Sequence, residues 1–297
     1  MEIKHFKHSE IDRQKWDACI QNACNPLVYA ESWFLDIVSP NWEALVLDDY
    51  EYVMPLPVKR KYGLSFLVQP PLTQQLGVFS AHTIEECIVE SFIQKLPYCS
   101  YHLDFNEQNS LRKGIKQHNF ILNLKEDYST IFSKYSTNTK RNVKKTEFYS
   151  FEIKTDVSAN DFLEFYHNTE KNYAVAPDAK VNQLIRESIQ KNRITIYGAY
   201  NSEHLLIAAL CLLHSFNRLI YWLPMSNKEG KETSAMFKIV DTIIQKNANS
   251  NLMLDFYGSN VQSIARFYEG FGAKLTYYYE IKRLSINDFI KRLCFWK

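Results

Sequence analysis

The chain has 297 residues, a 46% hydrophobic share and a formal net charge of +2, values typical of an ordinary globular protein. Its length exceeds the usual size of one domain, so we expect two. The small net charge gives no support for nucleic acid as the main partner.

The N-terminal sequence and the cysteine spacing predict a protein of a reducing compartment. The first residues are polar and lack the apolar core of a signal peptide, and no apolar run is long enough to predict a membrane span. The six cysteines are scattered without a CxxC pair, which indicates free thiols and a cytoplasmic protein. No metal-ligand spacing occurs, so the sequence predicts no metal site.

The first half of the sequence predicts two helices, several antiparallel strands, a helix and further strands. In chain order these are helices at residues 11–23 and 31–38, strands at 43–47 and 50–57, a helix at 80–96, and strands at 98–105 and 120–124. Asn25-Pro26 and Ser39-Pro40 end the first two helices, because the residue before a proline avoids helical geometry.

The second half of the sequence predicts more helices and strands than the first half does. In chain order these are a long basic helix at 127–149, a strand at 151–154, helices at 159–174 and 181–190, strands at 193–200, 204–214 and 218–223, a helix at 233–246, a strand at 252–256, a short helix, a strand at 275–281 and a helix at 285–296. The chain therefore reads as an α/β protein with mixed sheets, divided near residue 125.

The stretch 252–274 is the most specific part of the sequence. An apolar strand ends at Asp255 and Phe256, and Gly258 follows in a polar turn. Aromatic residues then recur at helical spacing, including Phe267 and Tyr268, before Gly270 ends the helix.

This stretch and the order of elements resemble the GNAT acyltransferase superfamily, and in particular the Fem-type aminoacyltransferases. Fem-type proteins contain two GNAT-like domains in tandem and show an aspartate–aromatic strand end, a glycine turn and an RFxxGFG motif. Here these positions are Asp255-Phe256, Gly258 and residues 266–272. The resemblance implies an α/β fold of two tandem GNAT-like domains, at residues 1–124 and 125–297. It covers nearly the whole chain and is loosest in the first third.

Two features of the sequence, a loop and a single residue, depart from the patterns of these families. The GNAT diphosphate loop usually is glycine-rich and opens a helix, so that backbone N–H groups bind the phosphates. Here residues 226–235 contain one glycine and two glutamates, which Lys228 and Lys231 partly offset. Fem enzymes commonly have a lysine where this chain has Tyr268. The resemblance therefore leaves two donors open, acyl-CoA such as acetyl-CoA and aminoacyl-tRNA.

The resemblance implies two catalytic candidates. Tyr268 would be an acid for the leaving group or would orient the substrate, and its alternative role is that of a core aromatic. Asp255 would bind an amine or act as a base, and its alternative role is that of a helix cap.

Eight further residues are candidates for substrate binding. They are Gly258, Asn260, Arg266, Phe267, Lys140, Arg141, Lys228 and Lys231. Asn260 is alternatively a helix cap, and a basic run on a helix is usually a solvated face.

The sequence thus predicts transfer of an acetyl, acyl or aminoacyl group to the amine of a small molecule or peptide, by direct attack. The donor would bind in the second domain and the acceptor in the groove between the domains. The alternative is a catalytically degenerate GNAT-like module that binds an anionic ligand or partner.

Overall fold

The computed structural model describes residues 2–61, 63–149, 151–169 and 178–283. The chain forms two compact units, one made of Met1–Gln117 with Tyr277–Lys297 and the other of His118–Thr276. The domain boundary predicted between residues 124 and 125 stays a prediction. The helix predicted at 285–296, Cys294 and the end of the helix predicted at 159–174 lie outside the described residues.

The described elements are a mixture of helices and strands, with several strands following one another directly. In chain order they are β1 (Ile3–Phe6), α1 (Arg13–Asn22), α2 (Ser32–Val38), β2 (Glu43–Leu47), β3 (Tyr52–Leu56), β4 (Val58–Lys61), β5 (Leu64–Val68), β6 (Phe79–Ser80), α3 (Glu86–Gln94), β7 (Tyr101–Phe105), β8 (Ile115–Asn123), α4 (Tyr128–Ser133), α5 (Thr137–Lys145), β9 (Glu152–Lys154), α6 (Ala159–Asn168), α7 (Asp178–Gln190), β10 (Ile194–Tyr200), β11 (Leu206–Ser215), β12 (Arg218–Ser226), α8 (Lys228–Glu232), α9 (Ala235–Asn247), β13 (Met253–Asp255), α10 (Gln262–Gly270) and β14 (Lys274–Arg283).

The first unit contains two groups of paired strands. Strands β1, β2, β3 and β6 pair in that order, and β4, β5, β7 and β14 form the second group. Along β7, Leu103 and Phe105 are buried in the core while His102 and Asp104 alternate with them on the opposite face. Strand β14 runs antiparallel to β7 and places Glu280 opposite Asp104.

The second unit is a mixed sheet in the order β8, β13, β12, β11, β10, β9. Strand β13 is antiparallel to β8 and parallel to β12, and the remaining pairs are antiparallel. One hydrophobic cluster joins the sheet to α9 and α10. The α/β class with mixed sheets that the sequence predicts is therefore confirmed.

The long helix predicted at 127–149 is wrong, because the chain forms two helices there. Helix α4 ends at Ser133, and Ser136 begins α5 by accepting a hydrogen bond from the Thr139 N–H. The Ser136 N–H also donates to the Gly270 carbonyl at 2.8 Å. A capping side chain and a contact distant in sequence thus interrupt a pattern that is locally helical.

Smaller differences between the predicted and the observed elements occur where turns and tight packing determine the bounds of an element. Helix α3 begins at Glu86, so the helix predicted at 80–96 starts too early, and Phe79–Ser80 is instead the short strand β6. Strand β1 and the short helix α8 were not predicted. In the part of the chain that the structure describes, no helix has the length and apolar character needed to cross a membrane.

Candidate functional site

The second unit contains a wedge where two parallel strands separate. Strands β12 and β13 pair only from Arg218–Met253 to Ile220–Asp255. Beyond that point β12 continues beside β11, while the chain leaves β13 through Tyr257 and Gly258, both at positive φ (63° and 58°). Glycine adopts such angles without strain, which favours a turn here.

Aromatic side chains fill this wedge. The rings of Tyr221 and Phe256 lie 5.7 Å apart between centroids, and Phe256 lies 4.8 Å from Tyr268. Phe267 and Phe271, 5.2 Å apart, extend the cluster toward α9. Phe256 and Phe271 are fully buried. An open cleft at this point would support a bound acyl donor, whereas the filled wedge opposes a donor between the strands.

Tyr268 packs within this aromatic cluster, with the ring centroids of Phe120, Tyr221, Phe256 and Phe267 at 5.7, 5.8, 4.8 and 5.8 Å. The residue is 6% exposed, and among the described residues its hydroxyl has no hydrogen-bond partner. Burial, followed by the nearby Asp255 charge, raises the pKa of Tyr268 well above its usual value. The phenol is therefore neutral at physiological pH and can donate a hydrogen bond, but it is a poor base.

Asp255 is held in a buried ion pair. Its Oδ2 lies 3.1 Å from the Arg218 guanidinium, and the side chains are 3% and 8% exposed. Its Oδ1 accepts a hydrogen bond from the Tyr257 N–H at 3.0 Å. The carboxylate therefore joins β12 to the turn after β13, a geometry that suits positioning better than proton transfer.

Asn260 does not cap α10. The N-cap position is Val261, which makes no side-chain capping hydrogen bond, and the Asn260 Oδ1 instead accepts from the His118 N–H at 3.3 Å. Arg266 is exposed on α10, and no hydrogen bond or ion pair joins it to another described residue. Of the candidates in this stretch, Phe267 and Tyr268 share the aromatic cluster, and Asp255 and Gly258 lie at its strand end.

Lys140 and Arg141 lie on α5, which packs against the end of α10 through the Ser136–Gly270 hydrogen bond. The Lys140 Nζ donates to the Ser133 carbonyl at 2.7 Å, and Arg141 donates to Asn138 at 2.8 Å. Arg141 is exposed, so it remains accessible to an anionic ligand.

The loop that corresponds to a GNAT diphosphate site uses part of its backbone N–H groups for hydrogen bonds within the protein. Its backbone N–H groups donate within the protein at Asn227, Gly230, Lys231, Thr233 and Ser234. Lys228 and Lys231 are exposed, and Lys228 lies 4.0 Å from Glu232. Because five of the loop N–H groups are used within the protein and two glutamates lie among them, the loop is a poor match for the diphosphate of CoA.

Gly230 fixes this loop against the sheet. A Cβ at this position would overlap the backbone of Ile207 on β11. Gly230→Ala is therefore expected to lower the free energy of unfolding by ~3 kcal/mol, since backbone cannot move aside as a flexible side chain can. Urea unfolding measures this, and Lys231→Ala on the same helix should change stability by less than ~0.5 kcal/mol. An equal effect of the two substitutions would contradict the tight packing.

The structure also shows a polar cluster that sequence spacing did not reveal. On the first unit, His102, Asp104 and Glu280 bring their ligand atoms within 4.8 Å of one another. The His102 Nε2 lies 3.2 Å from Glu280 Oε1. Burial, then repulsion from Glu280, raises the pKa of Asp104 from 3.8 to about 7. The alternation on β7 marks His102 and Asp104 as sharing a face, but nothing in the sequence connects them to Glu280.

No protein-family model matches the chain, and no curated protein matches it. Several solved structures, however, match the chain in fold. The structure of FemX aligns over 99% of both chains with a TM-score of 0.67 and 10% identity. L-PGS from Bacillus licheniformis aligns over 95% of this chain and 96% of its own, with a TM-score of 0.55 and 10% identity.

A third match is the C-terminal domain of a putative lysylphosphatidylglycerol synthetase from Agrobacterium fabrum. It covers 85% of this chain and 87% of that domain, with a TM-score of 0.53 and 6% identity. At these identities the likeness defines the fold alone. The chain therefore has a Fem-like fold, as the sequence resemblance implied, and its full-length match to FemX is consistent with tandem GNAT-like domains.

Proposed function

We propose that the chain is an acyltransferase of the Fem-like type, which transfers an aminoacyl group to the amine of a small molecule or peptide. The observation that carries this proposal is the alignment with FemX over 99% of both chains. The buried Tyr268 side chain near Asp255, at the strand end of β13, supports it.

An aminoacyl ester, as in aminoacyl-tRNA, suits the second unit better as donor than acetyl-CoA or another acyl-CoA. The loop at residues 226–234 uses its N–H groups internally, and aromatic rings fill the wedge. Lys140 and Arg141 offer cationic contacts to a phosphate backbone, with Arg266, Lys228 and Lys231 as further exposed cations. These contacts are local, in keeping with a net charge of only +2.

In the proposed reaction, the acceptor nitrogen attacks the ester carbonyl and a tetrahedral intermediate forms. The carbon–oxygen bond to the donor then breaks, and the leaving oxygen gains a proton as the amine loses one. Tyr268, which stays protonated, donates a hydrogen bond to the leaving oxygen. Asp255, paired with Arg218, positions the turn at Tyr257 and Gly258. Phe267, which packs against Tyr268, and Asn260 would contact the substrate.

A catalytically degenerate module that binds an anionic ligand is the second candidate. The observation that favours it is the Arg218–Asp255 ion pair, which occupies the carboxylate nearest to Tyr268. Such a module would bind charged tRNA or another polyanion and leave the ester bond intact.

Tyr268→Phe is expected to reduce aminoacyl transfer by ~100-fold, mainly in kcat, because only the donated hydrogen bond is removed. Transfer from a pool of radiolabelled aminoacyl-tRNAs to a panel of amines measures this. Stability should stay within ~0.5 kcal/mol of the wild type, since the hydroxyl has no described partner. Tyr197→Phe on β10 is the matched control and should keep the wild-type rate.

Three results would contradict the proposal. No transfer by the wild type to any amine, with tRNA binding retained, would favour the degenerate module. Equal rates for Tyr268→Phe and the wild type would remove Tyr268 from the mechanism. A rise in Tm with acetyl-CoA would contradict the choice of donor, because a bound ligand stabilises the folded state by mass action.

A further inference from the structure

The His102–Asp104–Glu280 cluster of the first unit has the donor set of a metal site. An imidazole nitrogen and two carboxylates lie within 4.8 Å of one another. All three side chains are partly buried, with Glu280 only 16% exposed and His102 40% exposed. Imidazole with carboxylate is a ligand combination common to Zn²⁺, Mn²⁺ and Fe²⁺ sites.

Within the described part of the chain, the carboxylates of Asp104 and Glu280 have no lysine or arginine as an ion-pair partner. Among the described residues, His102 is the one basic group in contact with them. Lys282 lies two residues along β14 on the same face, but it is exposed and makes no ion pair within the described part of the chain. Like charges held close in a partly buried place are costly, and a bound cation removes that cost.

The surroundings hold the three ligands in place. The Gln117 amide donates to Glu280 Oε2 at 2.5 Å, which leaves Oε1 facing His102. The Asp104 N–H donates to the Gln69 side chain at 3.2 Å, and the Gln69 N–H donates to the His102 carbonyl at 2.8 Å. Ligands on paired strands with such support are positioned more precisely than ligands on loops.

The His102–Glu280 separation of 3.2 Å fits a shared metal ion. Two ligand atoms at about 2.1 Å from one ion are separated by roughly 3.0–3.4 Å in octahedral or tetrahedral geometry. We propose that His102, Asp104 and Glu280 bind a divalent transition-metal ion. Three protein ligands leave further coordination positions for water or a substrate oxygen, the pattern of an open rather than a closed structural site. This proposal stands independently of the aminoacyl transfer proposed above.

The test is titration of the full-length, tag-free protein with ZnCl₂ and, separately, MnCl₂ after chelator treatment, followed by isothermal calorimetry. We expect one equivalent to bind. His102→Ala and Glu280→Gln should abolish the saturable phase. Gln117→Ala, which removes the support but no ligand, should weaken binding by about 10- to 100-fold.

His167→Ala is the matched control, because His167 lies 3.5 Å from Asp178 and the described residues add no third ligand group there. It should bind the metal as the wild type does. Circular dichroism and apo-protein melting show that each variant is folded, and the metal should raise the Tm of the wild type but not of His102→Ala. Absence of saturable binding by the wild type would overturn the proposal and leave His102–Glu280 as an ion pair only. Unchanged binding by both His102→Ala and Glu280→Gln would likewise overturn it.

Discussion

Arg218→Ala is expected to lower the free energy of unfolding by about 3–5 kcal/mol. The guanidinium lies 3.1 Å from Asp255, and both side chains are almost completely buried. Removing the cation leaves a carboxylate in the interior without its Arg218 partner. The same substitution loosens the junction between β12 and β13, because Arg218 and Met253 form their first pair.

Two controls separate this charge effect from the loss of side-chain packing. Arg112 forms an exposed ion pair with Glu86, so Arg112→Ala should lower stability far less than Arg218→Ala does. The double variant Arg218→Ala/Asp255→Asn should recover part of the loss, because the buried negative charge that has lost Arg218 is also removed. Urea denaturation monitored by fluorescence provides the values. A loss of under 1 kcal/mol for Arg218→Ala would show that the pair contributes little.

Asp104→Asn is expected to stabilise the metal-free protein at pH 8 and to have little effect at pH 4. The pKa of Asp104 is raised from 3.8 to about 7, so the folded state binds this proton more tightly than the unfolded state. The wild type therefore loses stability as pH rises from about 4 to about 7, by up to about 1.4 kcal/mol per pH unit. Asparagine carries no charge and removes that loss.

Urea unfolding with EDTA at several pH values tests this expectation. Glu280, His102 and Lys282 face the same region and are present in both proteins, so the difference between wild type and variant isolates Asp104. Asp48→Asn, an exposed turn residue, is the control and should show no such trend. A stability difference that does not change with pH would contradict the raised pKa.

The sequence predicts the fold well where local patterns and tertiary packing agree. The alternating segment on β10, the apolar β11 and the aromatic helix α10 all form as their periodicities indicate. The prediction from sequence fails where a contact between residues distant in sequence determines the end of a helix. Ser136 is an example, because its N–H donates to the Gly270 carbonyl. The helical pattern continues across that point, but the packing of α5 against α10 does not permit one straight helix.

The candidate site is predictable to a lesser degree. The strand end at Asp255 and the late aromatic Tyr268 can be read from the stretch that resembles Fem-type proteins. That Arg218 pairs with Asp255 follows only from the parallel register of β12 and β13. The link between Asp104 and Glu280 likewise requires the pairing of β7 with β14, which no local pattern encodes.

The division of the chain between its two units has a consequence for folding during synthesis. The unit formed by His118–Thr276 is continuous, so all of its strands have left the ribosome before the strand segment that begins at Tyr277. Synthesis of the other unit begins first, but that unit is completed last. Its strand β7 can pair with β14 only after the segment that begins at Tyr277 has been synthesised. The nascent chain therefore exposes an unpaired β7 edge for most of its synthesis, and that edge is a site for misfolding or chaperone binding. Glu280 arrives with the final strand, so the metal site that we propose is assembled only after the rest of the first unit.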